Sequence, residues 1–239
     1  MSYIALIPAH LSEGVRVSAH DRWETTVDLS PTKIEVLART MARRDRFVHE
    51  HAQRVQRYAV ALAREAGIND DRTLEAIGVA ALLHDIGKLG IPDRVLHKPG
   101  PLTQDEYDEV KQHAIIGAEI LSAAALPDSL VLLVRHHHEN WDSSGYPDRL
   151  AGETIPIGAR VLAIVDCYDA LTSDRPYRRP MSHGRAVEMI EERRSSRYDP
   201  DIVDAFLEIV HRMRPGSARE DAGRRQTPHG SPWLQARAV

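Results

Sequence analysis

Apolar positions along this chain recur at intervals of three and four, and no stretch alternates with a period of two for more than a few residues. Val48, Ala52, Val55, Ala59 and Leu62 are spaced 4, 3, 4 and 3, which predicts an amphipathic helix ending at Gly67. Ser30-Pro31 reads as an N-cap followed by a first helical position, opening a mixed segment that runs to about Met41. A further helix is expected from Asp71 to Lys88, with Leu74, Ile77 and Ala81 on one face and Gly90-Ile91-Pro92 as its breaker. Thr103-Gln104-Asp105-Glu106 reads as a capping box that opens a helix to about Ala125. Helices are predicted over Leu130–Glu139, Gly158–Ser173, His183–Glu192 and Pro200–Met213, with a long loop from Asn140 to Pro156. The fold class is therefore all-α.

Several of these apolar stripes carry a polar residue where a buried one is expected. His84 continues Leu74, Ile77 and Ala81, and Asp85 adjoins it. His113 lies in line with Val110, Gly117 and Ile120, while His137 and His138 continue Leu130 and Val134. Asp166 shares a stripe with Ala159, Leu162 and Asp169, and His51 flanks the stripe of Ala52, Val55 and Leu62. Taken singly, each such histidine reads equally well as a hydrogen-bonded core residue, and the Asp166/Asp169 pair as a solvated edge. Taken together, five helices aim His or Asp inward, and each buried polar group needs a partner. A shared pair of cations satisfies all of them.

Composition narrows the chemistry. Of 13 histidines, eight fall between His49 and His138. Imidazoles with carboxylates and no thiolate suit iron, manganese, zinc or nickel, whereas calcium and magnesium prefer oxygen-only shells. The lone cysteine, Cys167, points about 100° away from Asp166 on a helix and reads as core. It also excludes an intrachain disulfide, consistent with a reducing cytosol. Lys88 lies one turn after His84, within reach of a group held at the metals, or else serves as a cation at a helix C-terminus. The six arginines of residues 212–239 leave 25 basic against 33 acidic residues, a net of −8, in residues 1–211. An acidic body argues against a duplex-DNA partner. Aromatics at 5% give little stacking surface for single strands. The longest apolar run, Ala76 to Leu83, is too short to span a membrane, and no signal peptide is evident, so a cytoplasmic protein is expected.

Three strings together resemble the HD-GYP family, a branch of the HD-domain metal-dependent phosphohydrolases. They are His84-Asp85-Ile86-Gly87-Lys88 with Gly90-Ile91-Pro92-Asp93 and Lys98-Pro99-Gly100, then His137-His138-Glu139-Asn140-Trp141-Asp142-Ser143-Ser144-Gly145-Tyr146-Pro147, then Asp166 through Arg178. The resemblance runs from about Arg44 to Phe206. It implies an HD-type helical bundle of five core helices with additional ones, and hydrolysis of the bacterial second messenger cyclic di-GMP to the linear dinucleotide pGpG or to GMP. The domain organisation expected is an extension over residues 1–43, a catalytic domain over 44–213 and a disordered Arg-, Pro- and Gly-rich tail over 214–239.

Carried over residue by residue, the resemblance implies that His51, in a His-x-x-Arg-Val pattern with Arg54 and Val55, is the first metal ligand. His84 and Asp85 match the signature pair, with Asp85 bridging two metals. His113, His137 and His138 match the ligands of the second metal, and Asp166 closes the shell of the first. Lys88 matches the signature lysine beside the scissile phosphate, so Asp85 and Lys88 are the expected catalytic residues. Arg175 and Arg178 resemble a basic pair that contacts substrate phosphates, a task suited to guanidinium forks. Tyr146 belongs to the Gly-Tyr-Pro substrate loop. Two divalent transition-metal ions, iron or manganese, would lower the pKa of a held water and yield hydroxide near neutral pH. Lys88 would stabilise the developing charge or protonate the leaving 3′ oxygen.

The chain departs from the family pattern at two places. Ser143 replaces the first glycine of Asp-Gly-x-Gly-Tyr-Pro, and a φ > 0 there costs about 1 kcal/mol. Phe47 stands where trinuclear members carry Glu, which favours two metals over three, and Glu50 beside His51 points away. Two alternatives follow: a catalytically weak cyclic di-GMP-binding protein that docks on a diguanylate cyclase through its Gly-Tyr-Pro loop, or an HD phosphohydrolase for another nucleotide. The segment Thr25 to Met41 is a candidate homodimer helix, with packing on its own bundle the alternative.

Overall fold

The computed structural model describes residues 29–44, 46–174 and 179–213. These form a helical bundle with no strand among the described residues, only two isolated bridges. In chain order the helices are α1 (Pro31–Arg44), α2 (Arg46–Glu65), α3 (Asp71–Leu83), α4 (Asp93–Leu96), α5 (Gln104–Lys111), α6 (His113–Ala123), α7 (Asp128–His136), α8 (Ile157–Thr172), α9 (His183–Glu191) and α10 (Pro200–Ile209), with a 3₁₀ turn at Ile86–Gly90. Arg175, Arg178 and the segments 1–28 and 214–239 lie outside the described residues, as does the side chain of Phe47.

α2 is central, packing against α1, α3, α8 and α10. Its stripe Val55, Ala59 and Leu62 is fully buried. It stops at Gly67, with φ +84. The Gly67 amide donates to Arg64 O at 3.0 Å and the Ile68 amide to Ala63 O at 3.0 Å, the paired bonds of a glycine-terminated helix. α3 is capped by Asp70, whose carboxylate accepts from the Thr73 amide at 2.8 Å. Gly158 opens α8 in close contact, since a Cβ there would lie 2.8 Å from Ile77 and 2.9 Å from Leu133. α1 turns Ala38 and Met41 into the same core, and Val36 is its exposed large apolar residue.

Two predicted helices are shorter than their periodicity suggests. The helix expected to reach Lys88 ends at Leu83, and the backbone passes through Asp85 at φ −91, ψ 5 into the 3₁₀ turn. Gly87 explains the tightening, because a Cβ there would sit 1.9 Å from the His113 carbonyl oxygen, so this turn lies directly on α6. The helix expected over 103–125 breaks at Gln112 into α5 and α6, although its capping box is present as predicted, with the Glu106 amide donating to Thr103 Oγ1 at 3.3 Å and the Thr103 amide to Glu106 Oε2 at 2.7 Å. Both breaks occur next to residues whose side chains enter the same buried polar cluster.

Candidate metal centre

That cluster collects side chains from α2, the end of α3, the start of α6, the end of α7 and the middle of α8. His84, Asp85, His113 and His137 are each at most 4% exposed. Their donor atoms fall into two groups, His51 with His84 and Asp85, and His113 with His137 and His138, each within 4.8 Å. Asp85 stands between them: Oδ2 is 3.4 Å from His84 Nε2 and Oδ1 is 3.8 Å from His113 Nε2. Asp166 Oδ1 lies 3.1 Å from His51 Nε2 and 3.8 Å from His84 Nε2.

Backbone carbonyls fix the tautomers. His84 Nδ1 donates to Ala81 O at 2.7 Å, His113 Nδ1 to Val110 O at 2.7 Å and His137 Nδ1 to Val134 O at 2.6 Å. A carbonyl only accepts, so each neutral ring carries its proton on Nδ1 and aims the Nε2 lone pair inward. His84 Nε2 is buried with no hydrogen-bond partner. His113 Nε2 and His137 Nε2 face each other at 3.3 Å, two lone pairs with no proton to share. A buried acceptor without a donor costs free energy, and facing acceptors repel. A cation placed among them satisfies all three nitrogens, so the donor set fits divalent metal.

The electrostatics agree with that arrangement. Burial pushes the His113 pKa down to about 4 and that of His137 to about 3, with neighbouring cationic groups adding to it and Asp85 opposing. His138 is held well below its ordinary value by burial and by His137. Burial alone would raise the Asp85 carboxyl, but Lys88, His84 and His113 outweigh it and keep it strongly ionised. Asp166 is likewise lowered, against its burial, by the hydrogen bond from His51. Burial disfavours charge on His51, yet its bonds to Asp166 and Asp169 raise its pKa to about 9. His51 Nε2 carries its proton toward Asp166 Oδ1, 3.1 Å away. Neutral His113, His137 and His138 beside ionised Asp85 and Asp166 are in the state that metal binding requires, and His51 would have to release a proton to bind.

Lys88 reaches this centre by way of the 3₁₀ turn. Its amide donates to Asp85 O at 3.0 Å, and the tighter winding stacks residues i and i+3, bringing Nζ to 2.5 Å from Asp85 Oδ2. Lys88 is 8% exposed, so its ammonium is committed to the site rather than to solvent. Cys167 is buried in the core, as its helical offset from Asp166 predicts. Glu50 is exposed.

Two further buried carboxylates, assigned no role from sequence, brace the cluster and the loop beside it. Asp169 is fully buried; its Oδ2 accepts from His51 Nδ1 at 2.6 Å, and Arg54 grips both its oxygens, Nε at 2.6 Å and Nη2 at 3.0 Å. This is the carboxylate–histidine pairing that fixes a ligand's ring and raises its basicity. Its signal was available, since Asp169 shares the Asp166 stripe and Arg54 follows His51 by three. Glu139 is the other. It is buried at 2% exposure and accepts from the amides of Asp148 at 2.7 Å and Leu150 at 3.2 Å, holding the following loop closed.

That loop carries the Gly-Tyr-Pro sequence against the ligands. The Tyr146 amide donates to His138 O at 3.2 Å, and the Tyr146 ring lies 4.9 Å from the His138 ring at 32°. Gly145 allows this approach, since a Cβ would lie 2.3 Å from the Asn140 nitrogen. Ser143 has φ +68, so the condition for its strain is met. The Tyr146–Pro147 bond is cis.

The chain matches the HD domain family over residues 35–202. It is 42% identical over 190 residues to a cyclic di-GMP phosphodiesterase of Thermotoga maritima, covering 78% of this chain and 51% of the relative. It is 38% identical over 187 residues to a 3′3′-cGAMP-specific phosphodiesterase 2 of Vibrio cholerae, covering 76% of this chain and 36% of the relative. The chain thus spans about half or less of the length of these relatives. In fold it superimposes on an HDG"Y"P protein of Bdellovibrio bacteriovorus with a TM-score of 0.58 at 18% identity, covering 69% of this chain and 52% of that one. With the profile match spanning most of the chain and the three signature strings in order, the chain belongs to the HD-domain family, in its HD-GYP branch.

Proposed function

We propose that this chain is a metal-dependent phosphodiesterase that hydrolyses cyclic di-GMP to linear pGpG or to GMP. The observation that carries the reading is Asp85, whose two oxygens face separate histidine groups at 3.4 and 3.8 Å. His51, His84, Asp85 and Asp166 would hold one divalent transition-metal ion, iron or manganese, and Asp85, His113, His137 and His138 a second. Phe47, in the position where trinuclear relatives carry Glu, supports two ions rather than three. Such ions, when bound, supply an activated water and polarise a phosphodiester oxygen.

The chain's own residues do the rest. Hydrolysis adds water across the P–O3′ bond, leaving a 5′-phosphate and a 3′-hydroxyl. Lys88, the buried ammonium at the centre, is placed to offset the charge that builds on phosphorus-bound oxygen and to give a proton to the departing O3′. Asp169 and Arg54 hold the His51 ring in one orientation. Arg175 and Arg178 are proposed to grip the substrate phosphates as bidentate forks. Tyr146, fixed against His138, forms a wall of the substrate site. The names of the relatives support both the reaction class and a cyclic dinucleotide substrate. A cyclic di-GMP substrate would place the protein in the cytoplasm, in keeping with the absence, among the described residues, of a helix long and apolar enough to cross a membrane. The exposed loop tip at Asp142, Ser143 and Ser144 is the surface a docked diguanylate cyclase would meet.

The test is product analysis. Protein purified anaerobically and supplied with iron(II) or manganese(II) is expected to convert cyclic di-GMP to pGpG or GMP, and chelator is expected to stop it. Metal-loaded, folded protein that forms no product would overturn the reading in favour of a binding role.

A further inference from the structure

One group beside the centre is not used by that chemistry. Lys111, the last residue of α5 and two positions before His113, turns its ammonium toward two tyrosines. Nζ lies 5.4 Å from the Tyr107 ring centroid and 5.9 Å from that of Tyr146, both within cation–π range. Tyr146 in turn lies against His138, so the order outward from the histidines is Tyr146, Lys111, Tyr107. The ammonium also pairs with Asp108 on its own helix. That pair accounts for the charge of the half-buried Lys111 but not for its place over two rings at the edge of the cluster. Tyr107 is its neighbour one turn back on α5, and the Gly-Tyr-Pro loop brings Tyr146 within reach of the same ammonium.

The chemistry of this rim is selective. An ammonium carries donors only. Guanine presents two acceptors on one edge, O6 and N7, whereas adenine presents N7 beside an amino donor at N6. A cation held between the rings therefore attracts guanine and repels the adenine amino group. Tyr146 stays a neutral phenol, its pKa pushed well above the ordinary value by burial and by Tyr107.

We propose that Lys111, held between Tyr107 and Tyr146, selects guanine over adenine in the nucleotide whose phosphate occupies the metal centre. The inference rests on the cyclic dinucleotide reading given above and deepens it. It bears on a division among the relatives, whose names specify cyclic di-GMP in one case and the mixed 3′3′-cGAMP in another.

The test is the ratio of kcat/KM for cyclic di-GMP to that for cyclic di-AMP, measured on wild type, Lys111→Met and Lys111→Arg with metal loaded, alongside metal content. Being internal to each variant, the ratio does not depend on the fraction folded. Lys111→Met is expected to lower it by about tenfold to a hundredfold, the scale of one base-edge contact, with metal content retained. Lys111→Arg, which also donates to O6 and N7, should keep most of it. Competition by GMP against AMP should weaken in parallel in Lys111→Met. A guanine preference in wild type that Lys111→Met leaves intact overturns this inference alone. A wild type that cleaves bis(p-nitrophenyl) phosphate but neither cyclic dinucleotide overturns the reading beneath it, and the inference with it.

Discussion

A carbonyl hydrogen bond to Nδ1 does for His84, His113 and His137 what no side-chain partner does: it sets the proton on the outer nitrogen and leaves the inner one bare. Asp169 fixes the His51 ring through its Nδ1–H, with Arg54 holding the carboxylate. Asp169→Asn is therefore expected to lower metal affinity by about 10–100-fold, read by metal content after dialysis, while the helical circular dichroism is kept. Unchanged affinity would mean that His51 is oriented by something else. Lys88 donates to Asp85 and lies outside the proposed metal-ligand set. Lys88→Ala is expected to cut kcat by about 10²–10³-fold, the cost of losing one donor to developing charge, with metal stoichiometry near wild type. Loss of metal in step with rate would assign Lys88 to holding the site instead.

At the scale of elements, the site is made by interruptions. α3 stops at Leu83 so that Asp85 and Lys88 can share one 3₁₀ turn, and that turn is possible because Gly87 has no Cβ to meet the His113 carbonyl. Gly87→Ala should push α6 and its histidine away. The expected result is a folded, less stable protein with reduced metal content, and a fully loaded Gly87→Ala would contradict this packing. Periodicity predicted where α2, α8 and α9 run because their stripes are continuous, and it missed the ends of α3 and α5 because Lys88 and His113 keep in register with a helix the backbone has left. Close approach between segments distant in sequence decided both ends. Ser143 was legible, by contrast, since a loop glycine replaced by serine points to a strained φ, and φ is +68. Ser143→Gly is expected to relieve about 1 kcal/mol of that strain, offset in part by greater freedom of the unfolded chain, as read by urea unfolding.

Over the whole molecule, eight of the 13 histidines fall between His49 and His138, and five of them enter a site that five helices build in common. The inward-facing His and Asp residues were readable because a stripe fixes which way a helical residue points. Asp169 and Glu139 were not singled out, because a carboxylate in a stripe or a loop does not reveal which ring or amide it will meet. The cluster also governs stability in the chelated protein. His113 and His137 have folded pKa values below their ordinary 6.5, so the unfolded chain binds more protons. Their stability is present above pH 6.5 and lost as pH falls toward 4 and 3, at about 1.4 kcal/mol per pH unit for each ring. His51 has the opposite sign: raised to about 9, its contribution is full below pH 6.5 and lost as pH rises to 9. Chelated protein is thus expected to be most stable near pH 6.5 in urea unfolding between pH 5 and 9. A stability that keeps rising at acid pH would contradict the neutral-histidine state.

The measurement that bears most directly on the central claim is cyclic di-GMP turnover by Asp85→Ala beside wild type, with iron(II) or manganese(II) supplied and folding followed by circular dichroism. The two oxygens of Asp85 face separate histidine groups. The expected result is a helical protein with less bound metal and no detectable hydrolysis. A folded Asp85→Ala that turns over cyclic di-GMP at the wild-type rate would contradict a two-metal centre built on that carboxylate.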